Sequence, residues 1–108
     1  MNRGDIYLVE LPISSGHEQH GSRPALIMSD AVANTVIVVP FTSNSEATKF
    51  PNTLLVNSSK RNGLTETSIA LVFQLRAIDK RRLLRKIGNM EKVHSDSVAK
   101  ILRKMFVL

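Results

Sequence analysis

The segment Thr35-Val36-Ile37-Val38-Val39-Pro40-Phe41 decides the fold class of this 108-residue chain. β-Branched side chains favour extended backbone because they pack well on a pleated surface. Four consecutive aliphatic residues without polar alternation are typical of a strand that is buried on both faces. Proline has no N–H to donate, so we expect Pro40 near the end of this strand or at a sheet edge. The segment therefore predicts a buried strand over residues 35–41.

Shorter segments on both sides of this strand also favour extended structure. They end at prolines or at polar turn residues, which are signals for strand termini. Pro24 can start a strand but is not expected in the middle of one. We therefore predict further strands over residues 4–11, 25–29, 52–56, 68–75 and 83–88, polar loops over residues 12–23 and 42–51, and a turn-rich link with room for a helical turn over residues 57–63.

The C-terminal segment has a helical pattern. Four apolar residues recur at the i, i+3, i+4 and i+7 spacing of one helix face, and three cations take the other face. Ser95 precedes them and can cap a first turn that contains Asp96. We expect a small, strongly bent β sheet or barrel of about six strands, closed by this helix. The apolar residues are Val98, Ile101, Leu102 and Met105, and the cations are Lys100, Arg103 and Lys104.

Composition narrows the classes of protein to consider. The length fits a single domain over residues 1–108. The absence of Cys excludes disulfides and thiolate metal sites, and the three His have no zinc-site spacing, so we expect no metal or other cofactor. Gly-rich phosphate loops and G-x-S-x-G elbows are also absent. Without a long apolar run or a signal peptide, the expected location is the cytoplasm.

Positive charge is concentrated in the second half of the chain. Residues 1–50 carry three basic and five acidic side chains, whereas residues 51–108 carry twelve basic and four acidic ones, a net charge of +8. A field of this sign attracts polyanions, and nucleic acid is the first candidate. A solvated cationic surface that only aids solubility is the alternative interpretation.

Side chains suited to catalysis occur at the predicted strand ends. The loop over residues 16–24 contains Glu, Gln, Arg and two His between two strands, and loops held by a rigid sheet often carry function. Arg23 directly precedes a strand, so its base is anchored while its head extends outward. Thr42 follows the buried strand, and Gln74 and Arg76 lie at the end of another. Each of these residues also fits an ordinary exposed loop or strand end.

Four short motifs, in this order, carry a resemblance to a known family. The chain resembles the MazF/PemK family of type II toxins, the metal-independent mRNA interferases, over nearly its whole length. The motifs are Arg3-Gly4-Asp5-Ile6-Tyr7, Glu18-Gln19 followed by Gly21-x-Arg23-Pro24, Pro40-Phe41-Thr42-Ser43, and Gln74-Leu75-Arg76-Ala77-Ile78-Asp79-Lys80-x-Arg82-Leu83.

This resemblance implies both a fold and an activity. The implied fold is an SH3-like barrel of the CcdB/MazF toxin type with a C-terminal helix, usually in a symmetric homodimer. The implied activity is sequence-specific cleavage of single-stranded RNA without metal. In that reaction the 2′-hydroxyl of the substrate attacks, leaving 2′,3′-cyclic phosphate and 5′-hydroxyl ends. The implied regulator is a cognate MazE-like antitoxin whose acidic, flexible tail covers the RNA groove.

The resemblance also assigns catalytic roles. Arg23 matches the catalytic arginine of the family, and its planar fork suits a dianionic phosphorane. Thr42 matches the catalytic threonine, whose hydroxyl can donate to a non-bridging oxygen. Glu18 is the first choice for the base that accepts the 2′-hydroxyl proton. His17 is its rival, because imidazole titrates near neutral pH without help.

Further residues are expected to bind RNA. Gln19 and Gln74 match positions that contact bases in the family, and amides both donate and accept hydrogen bonds. Phe73 stands where some members have an acid, and either stacking on a base or burial in the core explains an aromatic ring there. His17 and Arg76 complete the expected RNA-binding set.

Two other functions fit the same fold class. A gyrase-poisoning toxin shares the fold but acts through a Trp-containing C-terminal end, and this chain has no Trp. A non-catalytic RNA-binding barrel would use only the basic half of the chain. The amphipathic helix, in turn, fits either its own sheet or a dimer interface.

Overall fold

Seven β strands and one long α helix organise the computed structural model, which describes residues 1–12 and 21–108. Within these residues the elements are β1 (Asp5–Leu11), β2 (Gly21–Ile27), β3 (Thr35–Thr42), β4 (Thr53–Val56), β5 (Ser68–Leu71), β6 (Arg76–Asp79), β7 (Leu83–Asn89) and α1 (Lys92–Phe106). Short 3-10 helices occupy Ser45–Lys49, Val72–Gln74 and Lys80–Arg82. The predicted mainly β fold with a C-terminal helix is confirmed, although the described residues hold seven strands where about six were expected.

The apolar segment over residues 35–41 lies at the centre of the antiparallel sheet, within β3. β3 pairs with β2 along one edge, and along the other edge it pairs first with β6 and then with β5. β1 and β7 extend the sheet beyond β2, and β4 extends it beyond β5. Pro40 lies where β3 passes from β6 to β5, between Val38 and Phe41. A residue without an N–H interrupts the pairing least at such a change of partner.

Alternate residues of β3 enter two different hydrophobic clusters, because successive side chains of a strand point to opposite faces. Val39 and Phe41 belong to the main cluster, which α1 covers with Val98. Val36 and Val38 belong to a second cluster on the other face. The predicted burial on both faces is thus confirmed for these four residues, but it is wrong for Ile37, which is 39% exposed. The second cluster also contains residues of β1 and β2, namely Val9, Leu11, Ala25 and Ile27.

The predicted strand over residues 68–75 is wrong in its second half. β5 ends at Leu71, a 3-10 turn follows, and β6 begins at Arg76, where the sequence predicted no strand. β5 pairs with the last two residues of β3, whereas β6 pairs with its first four. The chain must therefore break and turn between them to reach the other half of the same strand edge.

β2 begins earlier than predicted, at Gly21 instead of residue 25. Its first four described residues pair with β1, and its pairing with β3 starts only at Ala25. Pro24 is therefore tolerated inside the strand, because β2 has one hydrogen-bonded neighbour at that point. Arg23 lies within a strand as a consequence, and not in the preceding loop.

α1 begins before the predicted cap. Lys92 is its first residue and Glu91 is the capping position, while the Ser95 N–H donates to the Glu91 carbonyl at 3.0 Å inside the first turn. The predicted apolar face is confirmed: Val98 is fully buried, and the other three apolar residues pack on the main cluster. The three cations of the opposite face are exposed. Across the described residues, no helix is long and apolar enough to cross a membrane.

Candidate active site

Arg23 and Thr42 line the same cavity at one end of the β2–β3 pair. The last paired residues there are Ala25 and Pro40. Arg23 and Thr42 each lie two residues beyond this pair, on β2 and β3 respectively, and side chains two residues apart on a strand point to the same face. The two residues line a cavity of about 180 Å³, here called the Arg23 cavity. Two predicted site residues from different strands are therefore brought together.

Local hydrogen bonds fix the position of Thr42. It is buried and ends β3, where it lies opposite Ile69 of β5. Its hydroxyl oxygen accepts a hydrogen bond from the Asn44 N–H at 3.2 Å. Asn44 in turn caps the following 3-10 turn by accepting from the Glu46 N–H at 3.0 Å. A hydroxyl that accepts in this way keeps its own proton to donate to a ligand.

The strand holds the backbone of Arg23. This residue lies opposite Val9 of β1 and is half-buried. The fixed strand anchors the base of the side chain, and the guanidinium presents several N–H donors in a planar fork. Such a group matches the oxygens of a phosphate better than an ammonium does.

Another part of the lining of the Arg23 cavity comes from the β4–β5 loop, residues 57–67. Leu64, Thr65 and Glu66 line the cavity together with Ser68. The Ser68 hydroxyl donates to the Glu66 carbonyl at 3.0 Å, which joins the end of the loop to β5. The sequence did not predict these residues as part of a site, since nothing in their local pattern distinguishes them from an ordinary loop.

Asn62 holds the β4–β5 loop in place, and its side chain is fully buried. Its Oδ1 accepts from the N–H groups of Ser59 and Leu64, both at 3.0 Å. Its Nδ2 donates to the Asn57 carbonyl at 2.9 Å and to Glu91 Oε1 at 3.2 Å. All four hydrogen-bonding positions of the amide are therefore used. The loop is tied both to itself and to the start of α1.

Glu91 completes this network as a carboxylate. Ser59 Oγ donates to Glu91 Oε2 at 2.6 Å. This bond, with help from Asn62, holds the pKa of Glu91 below its ordinary value of 4.5, against the opposing effect of burial. The Glu91 side chain therefore accepts hydrogen bonds from the β4–β5 loop and does not cap the N-terminus of α1.

Two glycines allow the β4–β5 loop to touch β7. Gly63 has a φ of +71°, and a Cβ on it would lie 1.9 Å from the Ile87 carbonyl oxygen. A Cβ on Gly88 would lie 2.4 Å from the Arg61 carbonyl oxygen. Backbone therefore packs directly on backbone here, which only glycine permits.

A second cavity opens beside Thr42, with a volume of about 330 Å³. Phe50 and Phe73 line it, and their rings lie 5.6 Å apart between centroids at 53°. Phe73 is 36% exposed and Phe50 is 46% exposed, so neither ring is a core residue. Gln74 also lines this space, here called the aromatic cavity. Of the two interpretations of Phe73, burial in the core is therefore wrong.

Of the remaining predicted residues, Arg76 lines neither cavity and the other three lie outside the described residues. Arg76 begins β6, opposite Val38, and is half-buried. His17, Glu18 and Gln19 lie outside the described residues. Among residues 1–12 and 21–108, no group of three His, Asp or Glu side chains is placed to hold a metal ion.

The two cavities together offer a defined chemistry. A guanidinium can neutralise a phosphate, and a hydroxyl beside it can donate to a phosphate oxygen. Exposed aromatic rings next to them can stack on an unpaired base. The arrangement fits a single-stranded nucleic acid whose backbone crosses the Arg23 cavity.

Comparison with known proteins finds similar sequences over nearly the whole chain. A family model described as "PemK-like, MazF-like toxin of type II toxin-antitoxin system" matches residues 2–106. Endoribonuclease EndoA of Bacillus subtilis is 34% identical over 107 residues, which cover 95% of this chain and 91% of that protein.

Solved structures agree on the fold. MazF (Form-I) from Deinococcus radiodurans matches with a TM-score of 0.83 at 21% identity, over 100% of this chain and 97% of that one. MazF in the MazE-MazF complex (Form-II) of the same organism matches with a TM-score of 0.74 at 23% identity, over 100% and 96% of the two chains. The expected toxin fold is therefore confirmed.

Proposed function

This chain belongs to the PemK-like, MazF-like toxins of type II toxin–antitoxin systems, and we propose that it cleaves single-stranded RNA, messenger RNA included, without a metal ion. It is an endoribonuclease toxin, as its relative EndoA is named. One observation carries the proposed chemistry: Arg23 and Thr42 come from different strands and line one cavity. We infer that one toxin domain spans residues 1–108 and acts in the cytoplasm, where messenger RNA is found.

The proposed reaction is an internal transfer of the phosphodiester. The 2′-hydroxyl oxygen attacks the adjacent phosphorus as a base removes its proton, and the bond from phosphorus to the 5′-oxygen breaks. The products are a 2′,3′-cyclic phosphate and a 5′-hydroxyl, so no water is consumed. Arg23 neutralises the charge of the phosphorane and donates a hydrogen bond to the leaving 5′-oxygen, which takes up a proton from solvent, and Thr42 donates a hydrogen bond to a non-bridging oxygen.

The base comes from the loop that follows β1. We propose Glu18 in this role, since it lies five residues before Arg23 in the motif that carries the family resemblance. His17 is the alternative. Replacing Glu18 with Gln and His17 with Ala, one at a time, separates them: the residue whose loss abolishes single-turnover cleavage is the base, and full activity in both variants refutes both assignments.

The aromatic cavity supports a proposal for RNA binding. Phe73 and Phe50 offer exposed ring faces beside Thr42, and stacking on such rings is worth about 1–3 kcal/mol per base. Gln74 lines the same space and can read a base edge with its amide. We propose that Gln19, His17 and Arg76 contact the same RNA strand.

The proposed partners are a MazE-like antitoxin and a second copy of the chain. A MazF structure with the same fold is a MazE-MazF complex, and a net charge of +6 favours an acidic partner segment. The proposed homodimer would place two Arg23 cavities around one two-fold axis. Sedimentation at micromolar concentration tests it, and a purely monomeric species would contradict it.

Cleavage of a long defined RNA in EDTA tests the proposed function. We expect discrete cuts with 2′,3′-cyclic phosphate and 5′-hydroxyl ends. Arg23→Ala and Thr42→Val should each lower the single-turnover rate by about 10²–10³, the usual loss for one transition-state donor, and should retain most RNA affinity. Arg3→Ala is the control, because it removes one exposed cation, as Arg23→Ala removes one cation, but at a position just before β1. Intact RNA with wild-type protein, or full activity in Arg23→Ala, would refute the proposal.

A further inference from the structure

Glu66 brings a carboxylate to a cavity whose other charged residue is Arg23. The side chain is exposed. The described residues supply no hydrogen-bond or ion-pair partner to its carboxylate, and only its backbone carbonyl is engaged, by Ser68. A carboxylate repels phosphate, so its presence beside a phosphate-binding arginine calls for a ligand group that donates hydrogen bonds.

The wall that carries Glu66 is rigidly built. Asn62 and Glu91 tie the β4–β5 loop to α1, and Gly63 lets it pack directly on β7. Leu64, two residues before Glu66, is buried and donates its N–H to Asn62. A side chain mounted on a fixed loop can discriminate between ligands because it does not move aside for the wrong one.

The hydrogen-bonding capacity of a carboxylate selects among the four bases. An ionised carboxylate only accepts hydrogen bonds, through two oxygens. The Watson–Crick edge of guanine presents two adjacent donors, N1–H and the N2 amino group, which match those oxygens. Adenine and cytosine place an acceptor beside their single amino donor, and uracil flanks its N3–H with two carbonyls. These edges are accessible in single-stranded RNA.

We propose that Glu66 is a specificity-determining residue that selects a guanine next to the scissile phosphate. The inference rests on the proposed RNA cleavage and deepens it, since it names a base that the site prefers. Arg23 and Thr42 hold the phosphate, and Glu66 reads the base of one flanking nucleotide from the part of the same cavity that the β4–β5 loop lines.

Cut-site mapping on a random-sequence RNA tests this inference. Wild-type protein should show guanine enriched at one of the two nucleotides that flank the cut. Replacing that guanine with inosine, which lacks the N2 amino group, should lower kcat/KM by about tenfold, the usual effect of one hydrogen bond to a charged group. In Glu66→Gln the enrichment should disappear, and the inosine substitution should change kcat/KM by less than about twofold.

Glu10→Gln is the matched control, because Glu10 is an exposed glutamate of β1 and its loss changes the net charge equally. It should keep the wild-type cut-site profile. Guanine preference that persists in Glu66→Gln, or its absence at both flanking positions in the wild type, would overturn the inference while leaving the proposed cleavage intact. Wild-type protein that cuts no RNA would refute the proposed function, and this inference with it.

Discussion

Replacing Asn62 with alanine should destabilise the fold by about 3 kcal/mol. The variant loses four hydrogen bonds: two accepted from Ser59 and Leu64, and two donated to Asn57 and Glu91. The three neutral hydrogen bonds contribute about 1 kcal/mol each, the bond to the Glu91 carboxylate contributes more, and buried groups left without partners add to the loss. Water can reach some of these partners, because apart from Leu64 they are not fully buried, and this reduces the sum. For a domain of this size, 3 kcal/mol corresponds to a fall in Tm of roughly 12 °C.

Urea and thermal unfolding of the wild type and of Asn62→Ala measure this loss. Asn44→Ala is the control, because the Asn44 side chain accepts one hydrogen bond, from Glu46, at an exposed 3-10 turn. Its loss should cost at most about 1 kcal/mol. A loss below 1 kcal/mol in Asn62→Ala, or one no larger than in Asn44→Ala, would refute the view that the Asn62 network holds the β4–β5 loop.

Two further predictions concern the same loop. Gly63→Ala should destabilise the fold far more than Gly4→Ala in urea unfolding, because a Cβ at Gly63 would lie 1.9 Å from the Ile87 carbonyl oxygen. A Cβ at Gly4 meets nothing within 4 Å, so that variant loses only the free energy of straining its positive φ. Equal losses of stability in the two variants would contradict this prediction. Because the folded pKa of Glu91 is lowered, its contribution to stability should be complete above about pH 4.5 and should fade as the pH falls towards the lowered pKa. Glu91→Gln should remove this part of the acid loss, as urea unfolding at pH 3–7 will measure, and an unchanged pH dependence would exclude it.

Local sequence patterns predicted the elements whose structure depends on their own residues. The aliphatic run of β3 and the apolar stripe of α1 each determine an element with little reference to the rest of the chain. The break between β5 and β6 was missed because it depends on which half of β3 each segment pairs with. No local periodicity records that choice, since apolar residues run through the turn itself. The start of α1 was missed because Glu91, at the capping position, gives no side-chain cap that a sequence pattern could reveal. Its carboxylate instead accepts hydrogen bonds from Ser59 and Asn62.

The residues of the candidate site also fall into two groups, those that the sequence predicted and those that it did not. Arg23 and Thr42 were predicted from their motifs, and they line one cavity because their strands pair with each other a few residues away. Glu66 and Phe50 were not predicted, because they reach the cavities from loops whose path is set by distant contacts. The proposed phosphate-binding residues, Arg23 and Thr42, thus belong to recognisable motifs. The proposed base-contacting residues Glu66 and Phe50 are carried by loops without such a motif, so substitutions in these loops should change the preferred RNA sequence while the proposed chemistry of Arg23 and Thr42 is kept.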